Sequence, residues 1–230
     1  MKFAIIFAAF FLATPAWAAR PFVTDDARLT TAGSCQLESW VRQYEGSSEF
    51  WALPACNPTG NLEITLGGGR ASYKETGSTD DYVLQLKTLF KPLTTNGWGW
   101  GLGVGRVEHP EIAPGPNQLG NTYVYLPFSA SLAQDRFFVH ANVGWLRDKA
   151  SNQDRNTWGL GGEYYPQPRL ALIAESFGDD KTQPYWQTGL RYSVIPNLFQ
   201  LDVTTGQQYG GASASRWLSF GLRWTPERLF

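Results

Sequence analysis

The sequence predicts an all-β fold, a single transmembrane antiparallel β-barrel of about twelve strands, an even number of the kind outer-membrane barrels use. Three observations carry this. Gly97–Val107, GWGWGLGVGRV, sets Trp98, Trp100, Leu102 and Val104 on one face and a file of glycines on the other, the two-residue period of a strand. Beyond the N-terminus no segment approaches the roughly 20 apolar residues of a membrane helix, so a membrane-embedded chain must close into a barrel. Short and longer connections alternate along the chain, the asymmetry between the two ends of an outer-membrane barrel. The Gly97–Val107 strand alone would serve a soluble sandwich equally well; the connections decide.

Composition agrees. The 230 residues show no linker-like stretch, and 19 basic against 20 acidic residues give a net charge of -1, which offers no support for a nucleic-acid partner. Ten Trp, 10 Tyr and 14 Phe beside only 17% charged residues suit apolar outer faces with aromatic girdles. The mean hydropathy of -0.28 follows when lipid-facing and lumen-facing residues alternate.

In chain order, Lys2, the apolar run Phe3–Leu12 and Ala16-Trp17-Ala18 read as a signal peptide over residues 1–18. The mature barrel is then 19–230, in the outer membrane of a Gram-negative bacterium. Residues 19–34 have no clean period and are expected as a periplasmic lead-in segment. Cys35–Tyr44 and Glu49–Cys56 form a hairpin about Glu45 and Gly46, which sets Cys35 opposite Cys56 and Arg42 opposite Glu49. In an exported chain this predicts a Cys35–Cys56 disulfide. The facing of this hairpin is ambiguous, since Trp40 and Trp51 share the charged face.

Leu62, Ile64 and Leu66 face out on the next strand, and Gly67–Gly69 suggests a bulge. Tyr82, Leu84 and Leu86 define another outer face. Val124–Leu132 and Phe137–Trp145 agree in register: a turn at Gln134 and Asp135 sets Phe128, Ala130 and Leu132 across from Ala141, Val139 and Phe137. Further strands are read at 156–165, 169–177, 185–192, 198–205 and 216–224. The short connections are 57–60, 92–96, 134–135, 166–168 and 195–197; the longer are 74–80, 108–120, 148–155, 178–184 and 206–215.

The start RPFVTDDA, Cys35-Gln36-Leu37-Glu38, LPACNP about Cys56, and the closing pattern from Gly189-Leu190-Arg191-Tyr192 through Leu201-Asp202 to Trp217 and Gly221-Leu222 resemble the outer-membrane transporter family named for the meta-cleavage pathway of phenol degradation. The resemblance implies a barrel with a transporter or channel role and brings no catalytic residues. One departure from the usual barrel-assembly ending is that Pro226, Glu227 and Arg228 interrupt the alternation before the terminal Phe230.

The inward set is expected to line the lumen: Glu63, Lys87, His140, Glu163, Glu175, Arg191, Asp202 and Arg223. These could form a charge-selective conduit for small molecules. Alternatively, opposite charges cross-pair and leave a narrow or plugged lumen. Ser129, across from His140 with Asn142 on the same face, makes a Ser/His pair conceivable, hence the alternative of a barrel hydrolase. The other alternative is a structural or surface-binding barrel with a plugged lumen. The expectation is a non-enzyme, a passive channel or transporter, with outer-membrane lipid, the barrel-assembly machinery and a small-molecule solute as partners and no cofactor. Asp80-Asp81 and Asp179-Asp180 fall near loops, where a divalent ion could bind, but the expectation is no metal; His109 lacks a companion ligand.

Overall fold

A computed structural model describes residues 21–108, 121–148 and 151–230. The signal peptide and His109, with most of its loop, lie outside the described residues. Twelve strands follow one another as β1 (Ser34–Gln43), β2 (Ser47–Asn57), β3 (Glu63–Tyr73), β4 (Gly77–Lys91), β5 (Trp98–Glu108), β6 (Thr122–Leu132), β7 (Phe137–Asp148), β8 (Gln153–Gln167), β9 (Leu170–Asp179), β10 (Tyr185–Ile195), β11 (Phe199–Gln208) and β12 (Trp217–Trp224). Each pairs antiparallel with its neighbours, and β12 returns to β1, with Trp40 opposite Gly221, to close the barrel. Closure leaves no unpaired sheet edge, which is what a strand needs in lipid.

Alternation sorts the two faces as the sequence predicts. Phe50, Leu66, Tyr82, Val143, Leu160 and Phe220 each stay 51–60% exposed on the outside, a surface that calls for lipid around it. Outward aromatics pair near the short-turn end, Phe90 with Trp100 at 4.7 Å and Phe137 with Tyr164 at 4.5 Å, in the position of an interfacial girdle. At the same end Cys35 and Cys56 sit opposite each other and are disulfide-bonded. The register of β6 on β7 holds throughout, from Thr122 opposite Arg147 to Leu132 opposite Phe137.

The glycine file of β5 has a specific use. Gly103 and Gly105 stand opposite Tyr125 and Tyr123 of β6. A Cβ at either would come within 2.2 Å of the facing ring, so the absent side chains let both tyrosines lie flat across β5. The rings stack at 6.3 Å, and the Tyr123 hydroxyl donates to Gln85 Oε1 of β4 at 2.9 Å.

One ambiguity is resolved and three expectations are corrected. Trp40 and Trp51 face inward, stacked at 5.8 Å, and join Val83, Val107, Tyr123 and Leu146 in an apolar cluster inside the barrel. Gly67–Gly69 makes no bulge: β3 pairs with β4 without a shift, and Gly69 instead leaves room for the Trp51 ring, which a Cβ would meet at 2.4 Å. The 74–80 connection is a turn of only 74–76, because β4 starts at Gly77 and Arg70 pairs with Asp80 at 3.5 Å to extend the hairpin; β8 likewise starts at Gln153. The contrast in connection length therefore rests on fewer loops than the sequence implied. Finally, residues 21–33 are not a lead-in outside the wall: Phe22, Thr24, Asp26, Ala27 and Thr30 are buried within it.

Replacing Gly103 with Val forces Tyr125 off β5. Overpacking of this kind costs about 1–3 kcal/mol, so the urea midpoint of the folded barrel should drop for Gly103→Val. The outward-facing Val104→Ala should lower it less. Equal midpoints for Gly103→Val and the wild type would show that the tyrosine can be accommodated elsewhere.

Candidate functional site

A segment that crosses a barrel without joining a ladder must find acceptors for its backbone N–H groups one by one. Residues 21–33 form no strand, and the lumen wall supplies the acceptors. The Val23 and Thr24 N–H groups donate to the two oxygens of Glu175 on β9, at 2.7 and 2.8 Å. Asn142 of β7 clasps one residue from both sides, its Oδ1 accepting from the Asp25 N–H at 2.7 Å and its Nδ2 donating to the Asp25 carbonyl at 2.8 Å. The Ala27 N–H donates to Ser129 Oγ on β6 at 2.8 Å, and the Thr30 N–H to Glu63 on β3 at 2.6 Å. Gln187 and Asn57 hold the two ends, donating to the carbonyls of Pro21 at 2.8 Å and Thr30 at 2.7 Å. This strap thus runs from β10 across to β2.

Side-chain charges add a second set of contacts. Asp25 accepts from Lys87 Nζ at 2.8 Å and from the Tyr125 hydroxyl at 2.5 Å. Asp26 accepts the Arg28 N–H two residues on, at 3.0 Å, and pairs with the Arg28 guanidinium at 3.1 Å, which folds the DDAR stretch into a local turn. Arg28 lies 4.3 Å over the Phe138 ring and 4.0 Å from Glu163. Two glycines of β8 make the strap's bed: a Cβ at Gly159 would come within 2.4 Å of Thr24, and one at Gly161 within 2.7 Å of Phe22.

All eight expected lumen residues, Glu63, Lys87, His140, Glu163, Glu175, Arg191, Asp202 and Arg223, face inward and are buried. Glu63, Glu175 and Lys87 hold the strap, while Arg191 pairs with Glu163 and reaches the Tyr165 hydroxyl at 2.5 Å. Arg223 donates to Gln36 at 3.2 Å, and Asp202 stands opposite Arg191 in register. Opposite charges therefore cross-pair and also carry a plug.

Ser129 and His140 do meet, with Oγ and Nδ1 at 2.8 Å, but Asn142 is not the third member. That place belongs to Glu163, whose Oε1 lies 3.1 Å from His140 Nε2. Ser129 Oγ accepts the Ala27 N–H and is hydrogen-bonded to Nδ1, while Nε2 faces the Glu163 carboxylate. Phe22 covers the imidazole edge-on at 5.5 Å, and Ser129 and His140 are 0% exposed. A hydrolase needs its nucleophile open to substrate; here it is spent on the strap. The signal for Glu163 was the register, which places it opposite Phe138, two residues from His140 on the same face.

The paired acids near loops are also engaged. Asp179 accepts from the Lys181 and Thr182 N–H groups and pairs with Arg155 at 3.0 Å; Asp180 accepts from the Asn156 N–H at 3.0 Å. Among the described residues no group of His, Cys, Asp and Glu is arranged to hold a metal ion. Beside the strap a cavity of about 160 Å³ remains, bounded by Asp25, Lys87, Tyr125, Trp40 and Gln85 among others.

A family model described as uncharacterised conserved protein UCP029691 matches residues 6–224. No curated protein matches the chain in sequence. Among solved structures the KdgM porin superposes with a TM-score of 0.61 at 10% identity, covering 83% of this chain and 99% of that one; it has also been solved in complex with disordered oligogalacturonate. The NanC porin gives 0.52 at 10% identity, covering 82% and 97%. An outer-membrane channel from Pseudomonas putida F1 gives 0.51 at 14% identity, covering 86% and 97%. At these identities the likeness is one of fold.

Glu175→Ala strips two strap N–H groups of their acceptor, and Ser129→Ala strips a third, each group left unmet costing about 1–3 kcal/mol. Limited proteolysis of the purified barrel should cut within residues 21–33 faster in both variants, while resistance of the wall to the protease is kept. Undiminished protection in both would mean that the strap is held by other means.

Proposed function

The chain belongs to the family of uncharacterised conserved proteins UCP029691, and from its barrel we propose an outer-membrane channel for the passive passage of small molecules, closed at rest by its own N-terminal strap. The observation that carries this reading is that the lumen is filled by a segment held through side chains and not through a β-ladder. A wall meant only as a brace needs no removable filling, whereas a strand's worth of chain in a polar lumen blocks a path that exists without it.

Three points support the reading. The exterior is a continuous apolar surface with aromatics near one end, which suits lipid. The interior carries both signs of charge, a lining that screens solutes by size and polarity. The fold is shared with porins, and one of them, KdgM, has been solved in complex with disordered oligogalacturonate. Outer-membrane lipid and the barrel-assembly machinery are the partners such a protein requires, in a Gram-negative cell. The likeness to the transporter family named for phenol meta-cleavage belongs to this proposal too. What supports it is that its leading motif, RPFVTDDA, coincides with the strap from Pro21 to Ala27.

A planar-bilayer comparison tests the closed-channel reading. The intact barrel should give infrequent, small conductance steps. A variant lacking residues 21–30, exported and heat-modifiable as before, should give steps severalfold larger and more frequent. Identical traces from the two folded proteins would rule out the strap as the obstruction, and silence from both would rule out the channel.

A further inference from the structure

We propose that Lys87 and Tyr125 form a binding site for the carboxylate of a small organic acid, occupied at rest by Asp25 of the strap, so that such a solute competes with the strap. The release of the strap by solute rests on the channel reading above; the binding site itself does not.

The site is built by the wall. Lys87 of β4 stands opposite Gly103 of β5, and Gly103 stands opposite Tyr125 of β6. Because Gly103 has no side chain, the Tyr125 ring lies across β5 and brings its hydroxyl beside the Lys87 ammonium. The two donors meet the two oxygens of one carboxylate separately: Lys87 Nζ on Asp25 Oδ1 at 2.8 Å, Tyr125 OH on Oδ2 at 2.5 Å. Charge-assisted bonds of this kind are the strong ones; Oδ1 also accepts the Asp26 N–H of the strap itself at 2.8 Å, a contact the incoming carboxylate would not need.

The charge count selects a monoanion. Asp26 already lies 3.7 Å from Lys87, and Glu63 stands opposite Lys87 in register, so a dianion such as phosphate would add negative charge where two carboxylates are close. The site also has access. The Lys87 side chain is 4% exposed but that of Asp25 is 20% exposed, facing the cavity of about 160 Å³. An apolar cavity of roughly 150 Å³ admits a molecule of benzene's size, so a short-chain acid fits beside the ion pair with the strap still seated. Once it displaces Asp25, Lys87 keeps a carboxylate partner, and the cost of leaving a buried ammonium unpaired is avoided.

The test uses the full-length mature barrel folded in detergent, titrated calorimetrically with butyrate and with its neutral isostere butyramide. Butyrate should bind and butyramide should not. Asp25→Asn removes the internal competitor's charge and should tighten butyrate binding about tenfold, as expected when the competent state is no longer masked. Lys87→Gln should abolish binding. Tyr125→Phe, which keeps the ring on Gly103, should weaken it severalfold and covers the case in which Lys87→Gln misfolds. Equal binding of butyramide, preference for inorganic phosphate over butyrate, or full butyrate binding in Tyr125→Phe would each overturn the site. In bilayers butyrate should raise the number of conducting events in the wild type and add little in Asp25→Asn. Calorimetric binding by barrels that never conduct would support the site while sinking the channel. Conductance with no calorimetric binding would sink the site and leave the channel standing.

Discussion

The unmet backbone N–H of a chain segment outside any sheet is the constraint on which this lumen is built. Within a wall of twelve strands every ladder bond is already taken by a neighbouring strand. A strap across the middle can only be held by side chains, and the acceptors must be strong because the groups are buried. This accounts for carboxylates at Glu63 and Glu175, an amide at Asn142 and a hydroxyl at Ser129, all aimed at main-chain N–H groups. Buried acids that look like the lining of a conduit are the counterpart of a missing strand.

Space is managed by omission. Gly103 and Gly105 give up their side chains to two tyrosines, Gly69 to Trp51, and Gly159 and Gly161 to Thr24 and Phe22. Each is an inward position of a strand, and each faces a large group arriving from elsewhere. The same economy explains why a barrel of this size holds an apolar cluster, an ion-pair layer and a strap together. Side chains lie along the wall instead of reaching for the axis.

The wall was legible in the sequence because a strand between lipid and lumen repeats every two residues. Agreement between neighbouring strands, as in β6 on β7, then sets the register and with it the meeting of Ser129 and His140. The disulfide followed from the same arithmetic at Cys35 and Cys56. The strap was not legible, because RPFVTDDARLTTAG has no period to announce it; the wall side chains that hold its backbone are 27 to 166 residues away in sequence, in six strands. Glu163 was missed as the partner of His140 because the contact is diagonal, and Asn142, directly on the same strand, was the nearer choice. The facing of Trp40 and Trp51 was undecidable locally, since tryptophan suits a lipid interface and an apolar lumen equally.

The strap leaves the wall at Gly33, and that junction is pinned. The disulfide staples β1 to β2 two residues beyond it, and the Leu229 and Phe230 N–H groups both donate to the Gly33 carbonyl, at 3.0 and 3.1 Å. A segment released from the lumen is therefore still a short tethered ligand, with an effective concentration at its own site in the millimolar range typical of short linkers. Reclosure is unimolecular and does not depend on how much protein is present. On the reading proposed above, the length of this tether sets the outside concentration at which a solute begins to hold the barrel open.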